Sequence, residues 1–305
     1  MTRAPAVAGQ FYEGTKQSLI EAIEKSFLGT LGPGRLPVVR EKQISHCVRN
    51  DVNNAGDIPT SRLGNVLGLV CPHAGYVYSG SAAAWAYDAL AADGIPEVAV
   101  LLGPNHYGLG AGAALSPDES WATPLGTLRS DAQTAEAVGR LCRYAEVDEL
   151  AHIREHSIEV QLPFLQYLAG DAVRIVPISI AQLSQADAAL LVEDLGSAIA
   201  EAVSGKSAVV IASSDFTHYE SKASATAKDS IAIGRILDLD AKGLIEEVYS
   251  RDITMCGVIG TAVMLDACKR LGATSARKLA YYTSGDVTGD TDQVVGYGAI
   301  SIERN

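Results

Sequence analysis

Three of the six histidines in the sequence follow short runs of apolar residues. His73 comes after VLGLVC, His106 after VAVLL, and His218 after AVVIA. Runs of this length predict buried strands, and the carboxyl ends of parallel strands meet at one edge of a sheet. Neutral imidazole is a good ligand for iron, zinc or copper. A single loop histidine is more often an ordinary hydrogen-bonded side chain, but three in the same topological position favour a shared metal site.

A cysteine could join these histidines. Cys256 stands in ITMCGVIGTAVML, directly before an apolar segment that predicts a helix. The amino end of a helix stabilises a thiolate, which is both a metal ligand and a nucleophile. The alternative is that Cys256 is a small buried apolar residue, as free cysteines usually are. We interpret the other four cysteines only as small buried apolar residues.

The segment His152-Ile-Arg-Glu-His156 offers a competing site. It matches H-x-x-E-H, the inverted zincin pattern, in which a helix places two imidazoles one turn apart with Glu155 beside them. We expect Pro163 to interrupt such a helix, and no further acidic zinc ligand stands out. A third interpretation is that Glu155, His156 or Glu159 faces the main site without binding metal.

Tyrosines are frequent in the same segments. Tyr76 and Tyr107 adjoin two of the histidine motifs and could line a pocket for an aromatic or phenolic ligand, although tyrosine is also ordinary at strand ends. Asp215 comes three residues before His218. Its carboxylate could orient the site, or it could cap the helix that follows.

Composition excludes several classes of protein. The chain has 305 residues, 48% of them hydrophobic, and a net charge of -12. This acidic balance argues against a nucleic-acid or anionic-membrane surface, because both require clustered Lys and Arg. No apolar run is long enough for a membrane-spanning helix. Five scattered cysteines without a C-x-x-C pair are typical of a reduced compartment, so we expect a cytoplasmic protein.

The order of predicted elements indicates an α/β fold. Short apolar runs alternate with helical patterns, which predicts a single-domain α/β/α sandwich around a mostly parallel or mixed sheet. The segments LAYYTSGD and VVGYGAISI predict two closing strands that could be antiparallel. Residues 29–65 are rich in Gly, Pro, Asn and Asp and predict a long loop or insertion. We expect residues 1–305 to form one domain.

Taken together, the motifs resemble the MEMO family, also called protein B of the AmmeMemoRadiSam system. The resemblance rests on PAVAGQFY, PHAGYVYSG, LLGPNHYG, WATPLGTL, EHSIEVQLPFL, IASSDFTHY, MCGVIG and YYTSGD…VVGYGAISI. These segments run from residue 5 to about residue 302 in the order that the family has them. Only residues 29–65 contribute nothing to it.

The resemblance implies a fold and a set of site residues. The MEMO family is similar in fold to the class III extradiol dioxygenases, which bind non-haem Fe(II) through two His and one Glu. Carried over by motif, His73 and His106 match the imidazole ligands, and His218 matches the acid/base residue. Cys256 stands where the dioxygenases have the ligating Glu. A thiolate shifts preference toward softer ions, so the resemblance favours iron or copper and leaves zinc open.

Three functions remain open at this stage. The first is a metal-dependent oxidoreductase acting on a small, phenolic substrate, in which His218 transfers a proton and Asp215 or Glu155 orients the site. The second is a module that binds a metal or peptide without turnover, acting with the radical-SAM and AMMECR-type proteins that the resemblance suggests as partners. The third is a zinc hydrolase centred on His152 and His156. A shared fold does not by itself transfer an activity.

Overall fold

The computed structural model describes residues 1–39 and 64–304. Its strands are β1 (Thr2–Arg3), β2 (Val66–Cys71), β3 (Val98–Pro104), β4 (Ala113–Leu115), β5 (Ser120–Thr123), β6 (Gly126–Arg129), β7 (Ala145–Val147), β8 (Arg174–Ile180), β9 (Ala208–Ser213), β10 (His218–Glu220), β11 (Ser275–Thr283) and β12 (Val294–Glu303). Its helices are α1 (Lys16–Leu28), α2 (Tyr76–Asp93), α3 (Ala132–Leu141), α4 (Leu162–Ala169), α5 (Gln185–Ala202), α6 (Lys222–Leu237), α7 (Ala241–Ser250), α8 (Val258–Arg270) and α9 (Ser284–Thr288).

One large sheet runs through the molecule in the order β10-β12-β2-β9-β3-β8-β4-β7, with β11 paired to β12. Its centre is parallel, since β2 pairs with β9, β9 with β3, and β3 with β8 in that sense. The closing strand β12 is antiparallel to both β11 and β2, between which it lies. The predicted α/β fold with a mixed sheet is confirmed.

Helices cover both faces of this sheet because its central strands are apolar on both sides. Along β3, Val98, Val100 and Leu102 pack with the layer formed by α3, α5, α6, α7 and α8. The alternate residues Ala99 and Leu101 pack with α1, α2 and α4 on the other face. This alternation explains why the parallel strands read as uninterrupted apolar runs in the sequence.

The position of α8 bears directly on Cys256, which comes just before it. Gly257 lies so close to the end of β9 that a side chain there would overlap the carbonyl oxygen of Ser213 and the side chain of Ser214. Its backbone N–H donates to the Ser214 hydroxyl at 3.0 Å. A residue without a Cβ therefore lets the start of α8 approach the strand end.

Several local predictions were wrong. Residues 152–156 form turns and bends, and the following Glu159–Gln161 is a 3-10 turn. Pro163 does not interrupt a helix; it lies in the first turn of α4, where a missing N–H costs nothing. The sequence pattern also missed a separate three-stranded sheet, β1-β5-β6, and the short edge strands β4 and β7. These strands are too short to give a periodic signal.

The loop predicted for residues 29–65 is described only in part. Residues 29–39 are turns and irregular structure, and residue 65 leads into β2. Residues 40–63, with Cys47, lie outside the described residues. In the described ranges, no helix has the length and apolar character needed to cross a membrane.

Candidate metal centre

His73 is held at the carboxyl end of β2 by contacts on both its backbone and its ring. Its backbone N–H donates to Oδ1 of Asp215 at 2.9 Å, and its Nδ1 lies 2.9 Å from the Ser213 hydroxyl. The side chain is almost fully buried. Burial, followed by the charges of the neighbouring histidines, holds the pKa of His73 well below its usual value, so the ring is neutral.

His106 follows β3 and is positioned by a carboxylate. Glu155 Oε1 accepts from Nδ1 of His106 at 2.9 Å, and Oε2 accepts from its backbone N–H at 2.7 Å. Since the carboxylate can only accept, Nδ1 carries a proton, and in the neutral ring the lone pair is on Nε2. The side chain of His106 is 33% exposed, so this nitrogen is open to a ligand.

Glu155 is a buried carboxylate that stays ionised. Its Oε1 also accepts the backbone N–H groups of His156 and Ser157 at 2.8 and 2.9 Å. Burial acts to raise the pKa of Glu155, but the hydrogen bond and charge of His106, the charge of His156 and the Ser157 N–H outweigh it and lower the pKa to about 2. Glu155 therefore orients His106 rather than binding a metal itself.

Cys256 brings sulfur to the same place. Its Sγ lies 3.3 Å from Nε2 of His73 and accepts the backbone N–H of Asp215 at 3.3 Å. Burial, and then the charge of Asp215, raises the pKa of the thiol, so a cation is needed to stabilise the thiolate. Without a cation, Cys256 is a thiol beside an imidazole lone pair.

The donor set fits a first-row metal ion. One ring nitrogen each from His73 and His106 and the sulfur of Cys256 lie within 4.8 Å of one another. Imidazole nitrogen and thiolate sulfur bound tetrahedrally to one ion would be separated by about 3.5 Å, close to the His73–Cys256 distance. Three protein ligands leave at least one position for a substrate or water.

His156 adds a third imidazole to this face. Its ring stacks on that of His106 at 4.6 Å between centroids and lies 5.4 Å from that of His73. His106, Glu155 and His156 form a second group of potential ligand atoms, but the carboxylate of Glu155 is already occupied by its four donors. Burial lowers the pKa of His156 to about 4 despite the opposing charge of Glu155. His156 is therefore a neutral wall of the cleft.

His218 stands near the centre without belonging to either ligand group. Its backbone N–H donates to the Thr254 hydroxyl at 2.7 Å, and its Nδ1 lies 2.9 Å from the Thr254 carbonyl oxygen. A carbonyl oxygen can only accept, so Nδ1 carries a proton, and in the neutral ring the lone pair is on Nε2. This is the tautomer that a general base at Nε2 requires.

Asp215 links the two sides of the centre. Its side chain holds the backbone of His73, and its backbone N–H donates to the sulfur of Cys256. Burial raises the pKa of Asp215, while the charge of His218 and the N–H groups of His73 and Ala74 act to lower it. The contacts make Asp215 a positioning residue.

The three remaining predicted pocket residues differ in their surroundings. Glu159 is fully buried in an ion pair with Arg3 at 2.7 Å and accepts from Tyr12, so it anchors the amino-terminal segment. Tyr76 is buried, and its hydroxyl donates to the Val160 carbonyl oxygen at 2.8 Å. Tyr107 is 52% exposed, on the loop that follows His106.

The two histidines of the competing zincin motif lie in different environments. His152 Nε2 lies 3.0 Å from the Ala114 carbonyl oxygen, and its ring packs edge-on against Trp121. His152 belongs to neither group of candidate ligands, whereas His156 faces the cleft. A turn, rather than the helix that the zincin motif requires, separates the two imidazoles, so the motif does not form an inverted zincin site.

A cavity of about 450 Å³ adjoins the candidate ligands. His106 and Cys256 lie at its border, so a molecule inside it could reach an open metal position. Apolar and hydroxyl side chains from β8, α7 and the segment before α8 form other parts of the wall, among them Ile180, Tyr249, Thr254 and Met255.

Comparison with known proteins identifies the family. The sequence model described as Memo-like protein matches residues 3–301. The chain belongs to the Memo-like family. A MEMO1 family protein of Methanopyrus kandleri is 44% identical over 306 residues, covering all of both chains. A second, of Thermotoga maritima, is 44% identical and covers 97% of this chain and 98% of its own. The resemblance found in the sequence motifs is thereby confirmed.

A solved structure supports the fold of this Memo-like chain. The crystal structure of an uncharacterized protein from Escherichia coli K12 aligns with a TM-score of 0.51 and 15% sequence identity. The alignment covers 76% of this chain and 100% of the other. Likeness at this identity concerns the fold alone.

The sequence analysis missed residues that support the centre from behind. Gln161 and Ser157 each form a hydrogen bond with Ser213, which in turn contacts His73. Thr254 forms a hydrogen bond with His218. Ser157 and Gln161 lie in the segment EHSIEVQ, which begins with Glu155 and His156. Their position next to two candidate site residues was the one sequence feature that could have indicated them. A buried polar residue gives no periodic pattern that distinguishes it from a surface one.

Proposed function

We propose that the cleft binds a divalent first-row metal through His73, His106 and Cys256 and acts on a small ligand in the adjoining cavity. The observation that carries this proposal is the convergence of three ligand atoms of the appropriate chemistry within 4.8 Å. They come from the ends of β2 and β3 and the start of α8. The neutral ring of His73, and the hydrogen bond that holds Nδ1 of each histidine, support metal binding rather than a purely structural cluster.

Iron or copper is favoured by the donor set, with zinc as a further candidate. Imidazole suits all three ions, and thiolate adds preference for the softer ones. When bound, any of these ions would polarise a ligand oxygen, and iron or copper would also support one-electron chemistry. The protein's own residues supply the other roles. Glu155 orients His106, and Asp215 orients His73. His218 takes a proton from a ligand hydroxyl at its free Nε2.

A small phenolic compound is the proposed substrate class, and its oxidation by dioxygen is the proposed reaction. The cavity of about 450 Å³ is large enough for one aromatic ring, and Ile180 and Met255 offer apolar contacts. A phenolic hydroxyl directed to the border formed by His106 and Cys256 could approach the open metal position. His218 provides the base that such a hydroxyl requires.

Metal analysis of anaerobically purified protein tests the binding step. We expect about one equivalent of iron or copper in the wild type, and at least about tenfold weaker binding in Cys256→Ser, because a hydroxyl is a poor substitute for thiolate. Cys142→Ser, which changes a buried cysteine at the end of α3, is the matched control and should bind like the wild type. Equal metal content in Cys256→Ser and the wild type would refute the site.

Oxygen uptake by the metal-loaded protein with a series of catechols tests the reaction. Uptake that depends on both metal and catechol would support the oxidoreductase. Metal bound without any uptake across the series would count against the reaction, and would favour a module that binds a metal or peptide without turnover.

A further inference from the structure

A single buried hydroxyl behind His73 has three hydrogen-bonding partners. Ser213 Oγ lies 2.9 Å from Nδ1 of His73, 2.8 Å from Nε2 of Gln161 and 2.6 Å from the carbonyl oxygen of Ser157. All four residues are at least 98% buried. Bulk water is therefore excluded, and these groups must satisfy one another.

The orientation of the Gln161 amide is decided by its other contacts. Its Nε2 lies 2.9 Å from the Pro72 carbonyl oxygen, which can only accept a hydrogen bond. The opposite end, Oε1, lies 3.1 Å from the Tyr87 hydroxyl, which is equally close to the Gln161 carbonyl oxygen. A reversed amide would bring two acceptors together at Pro72. The Gln161 NH2 group therefore donates to Pro72 and to Ser213.

The protons around Ser213 can then be assigned one by one. The Ser157 carbonyl oxygen can only accept, so the single hydroxyl proton of Ser213 points to it. Gln161 supplies a proton to one lone pair of Oγ. The contact with His73 must then be donated by the ring, from an N–H at Nδ1.

We propose that Ser213, itself fixed by Gln161 and Ser157, is a positioning residue that sets the tautomer of His73. With the proton at Nδ1, the Nε2 lone pair points to the sulfur of Cys256, 3.3 Å away. His73 can then bind a metal without losing a proton. This inference rests on the proposed metal site for its purpose, but the tautomer follows from the contacts alone.

The two candidate imidazole ligands are held by different chemistry. Glu155 orients His106 with a charged acceptor in the more exposed part of the cleft. His73 lies deeper and has the buried Asp215 at its backbone already. A neutral hydroxyl directs its ring without adding a second buried negative charge, which would be costly.

Histidine-selective 15N NMR on the full-length, metal-free protein tests the tautomer directly. Long-range correlations identify which ring nitrogen carries hydrogen, and the spectrum of His73→Gln assigns the resonance. We expect His73 protonated at Nδ1 at pH 7.5. A wild-type ring protonated at Nε2 would overturn the proposal, whatever the behaviour of any variant.

Variants of Ser213 test the consequence for metal binding. Ser213→Ala should lose the preference for Nδ1–H and weaken Zn²⁺ binding by about 10- to 100-fold, the usual effect of removing a group that orients a metal-binding histidine. Ser213→Thr, which retains the hydroxyl, should keep most of the preference for Nδ1–H and most of the Zn²⁺ affinity. The control is Ser179→Ala, in a fully buried serine of β8 whose hydroxyl has no hydrogen-bond partner among the described residues.

The outcomes separate the two proposals. If Ser213→Ala keeps Nδ1–H and binds Zn²⁺ within twofold of the wild type, the positioning role is wrong even though the metal site stands. If the wild type binds no Zn²⁺, iron or copper, the proposed function fails. The NMR comparison of wild type and Ser213→Ala then decides the tautomer by itself. A loss of thermal stability in Ser213→Ala with an unchanged tautomer would indicate a purely structural serine.

Discussion

Cys256 Sγ and His73 Nε2 lie 3.3 Å apart, although 183 residues separate them in the chain. His73 is placed by the end of β2, and Cys256 by the turn into α8, which packs against the same strand layer. A soft sulfur donor thus faces an imidazole lone pair in a buried setting.

His218→Ala should separate metal binding from proton transfer. His218 is not a candidate ligand, so we expect metal affinity within about twofold of the wild type. Any catechol-dependent oxygen uptake should fall by about 10²- to 10⁴-fold, the usual contribution of a general base. Metal analysis and oxygen-electrode rates on the same sample make the comparison. Loss of the metal in this variant would mean that ligand and base have been exchanged in our assignment.

Glu155→Gln should weaken both the fold and the metal site. An amide cannot accept the four hydrogen bonds that end on this carboxylate, so donors from His106, His156 or Ser157 are left unpaired. We expect a loss of about 2 kcal/mol in the free energy of unfolding and about tenfold weaker metal binding. Urea unfolding and metal competition measure the two effects. The control, Glu149→Gln, changes an exposed side chain nearby, and an equal effect there would point to charge alone.

Glu159→Gln should destabilise the protein and leave the metal site unchanged. Arg3 and Glu159 form a buried ion pair, and removing the charge from one partner leaves the other uncompensated. We expect a loss of about 3–5 kcal/mol in the free energy of unfolding, measured by urea unfolding. Metal affinity should match the wild type. Reduced metal binding with normal stability would contradict this and would indicate that Glu159 supports the metal site.

Stability should fall between pH 6.5 and pH 4. Burial lowers the pKa of His152 from 6.5 to about 4, so the unfolded chain binds a proton in this range and the folded chain does not. The folded state therefore loses stability as pH falls, by roughly 3 kcal/mol from this residue if the full shift applies. The buried His156 acts in the same direction.

His152→Gln tests the contribution of His152 to this pH dependence. Glutamine can still donate to the Ala114 carbonyl oxygen but does not titrate in this range. Urea unfolding at pH 7.5, 6, 5 and 4 should show a shallower decline for the variant. Parallel curves for variant and wild type would show that other groups are responsible.

The alternating strand and helix pattern was sufficient to predict the fold class. The apolar runs that become β2, β3, β8 and β9 are readable because both faces of a central parallel strand are buried. The short strands β4, β5 and β6 were not found, because three or four residues cannot establish a period. Long-range pairing, not local pattern, makes them strands.

By itself, the sequence determined the family, the α/β class and the placement of His73, His106 and His218 after strands. Those features depend on residue types and local order, which a linear pattern contains. Only the tertiary structure decided that His156 faces the cleft while His152 does not, that Glu159 pairs with Arg3, and that Ser213 directs the ring of His73. Each of these depends on which buried donor meets which acceptor, and that is set by the packing of segments far apart in the chain.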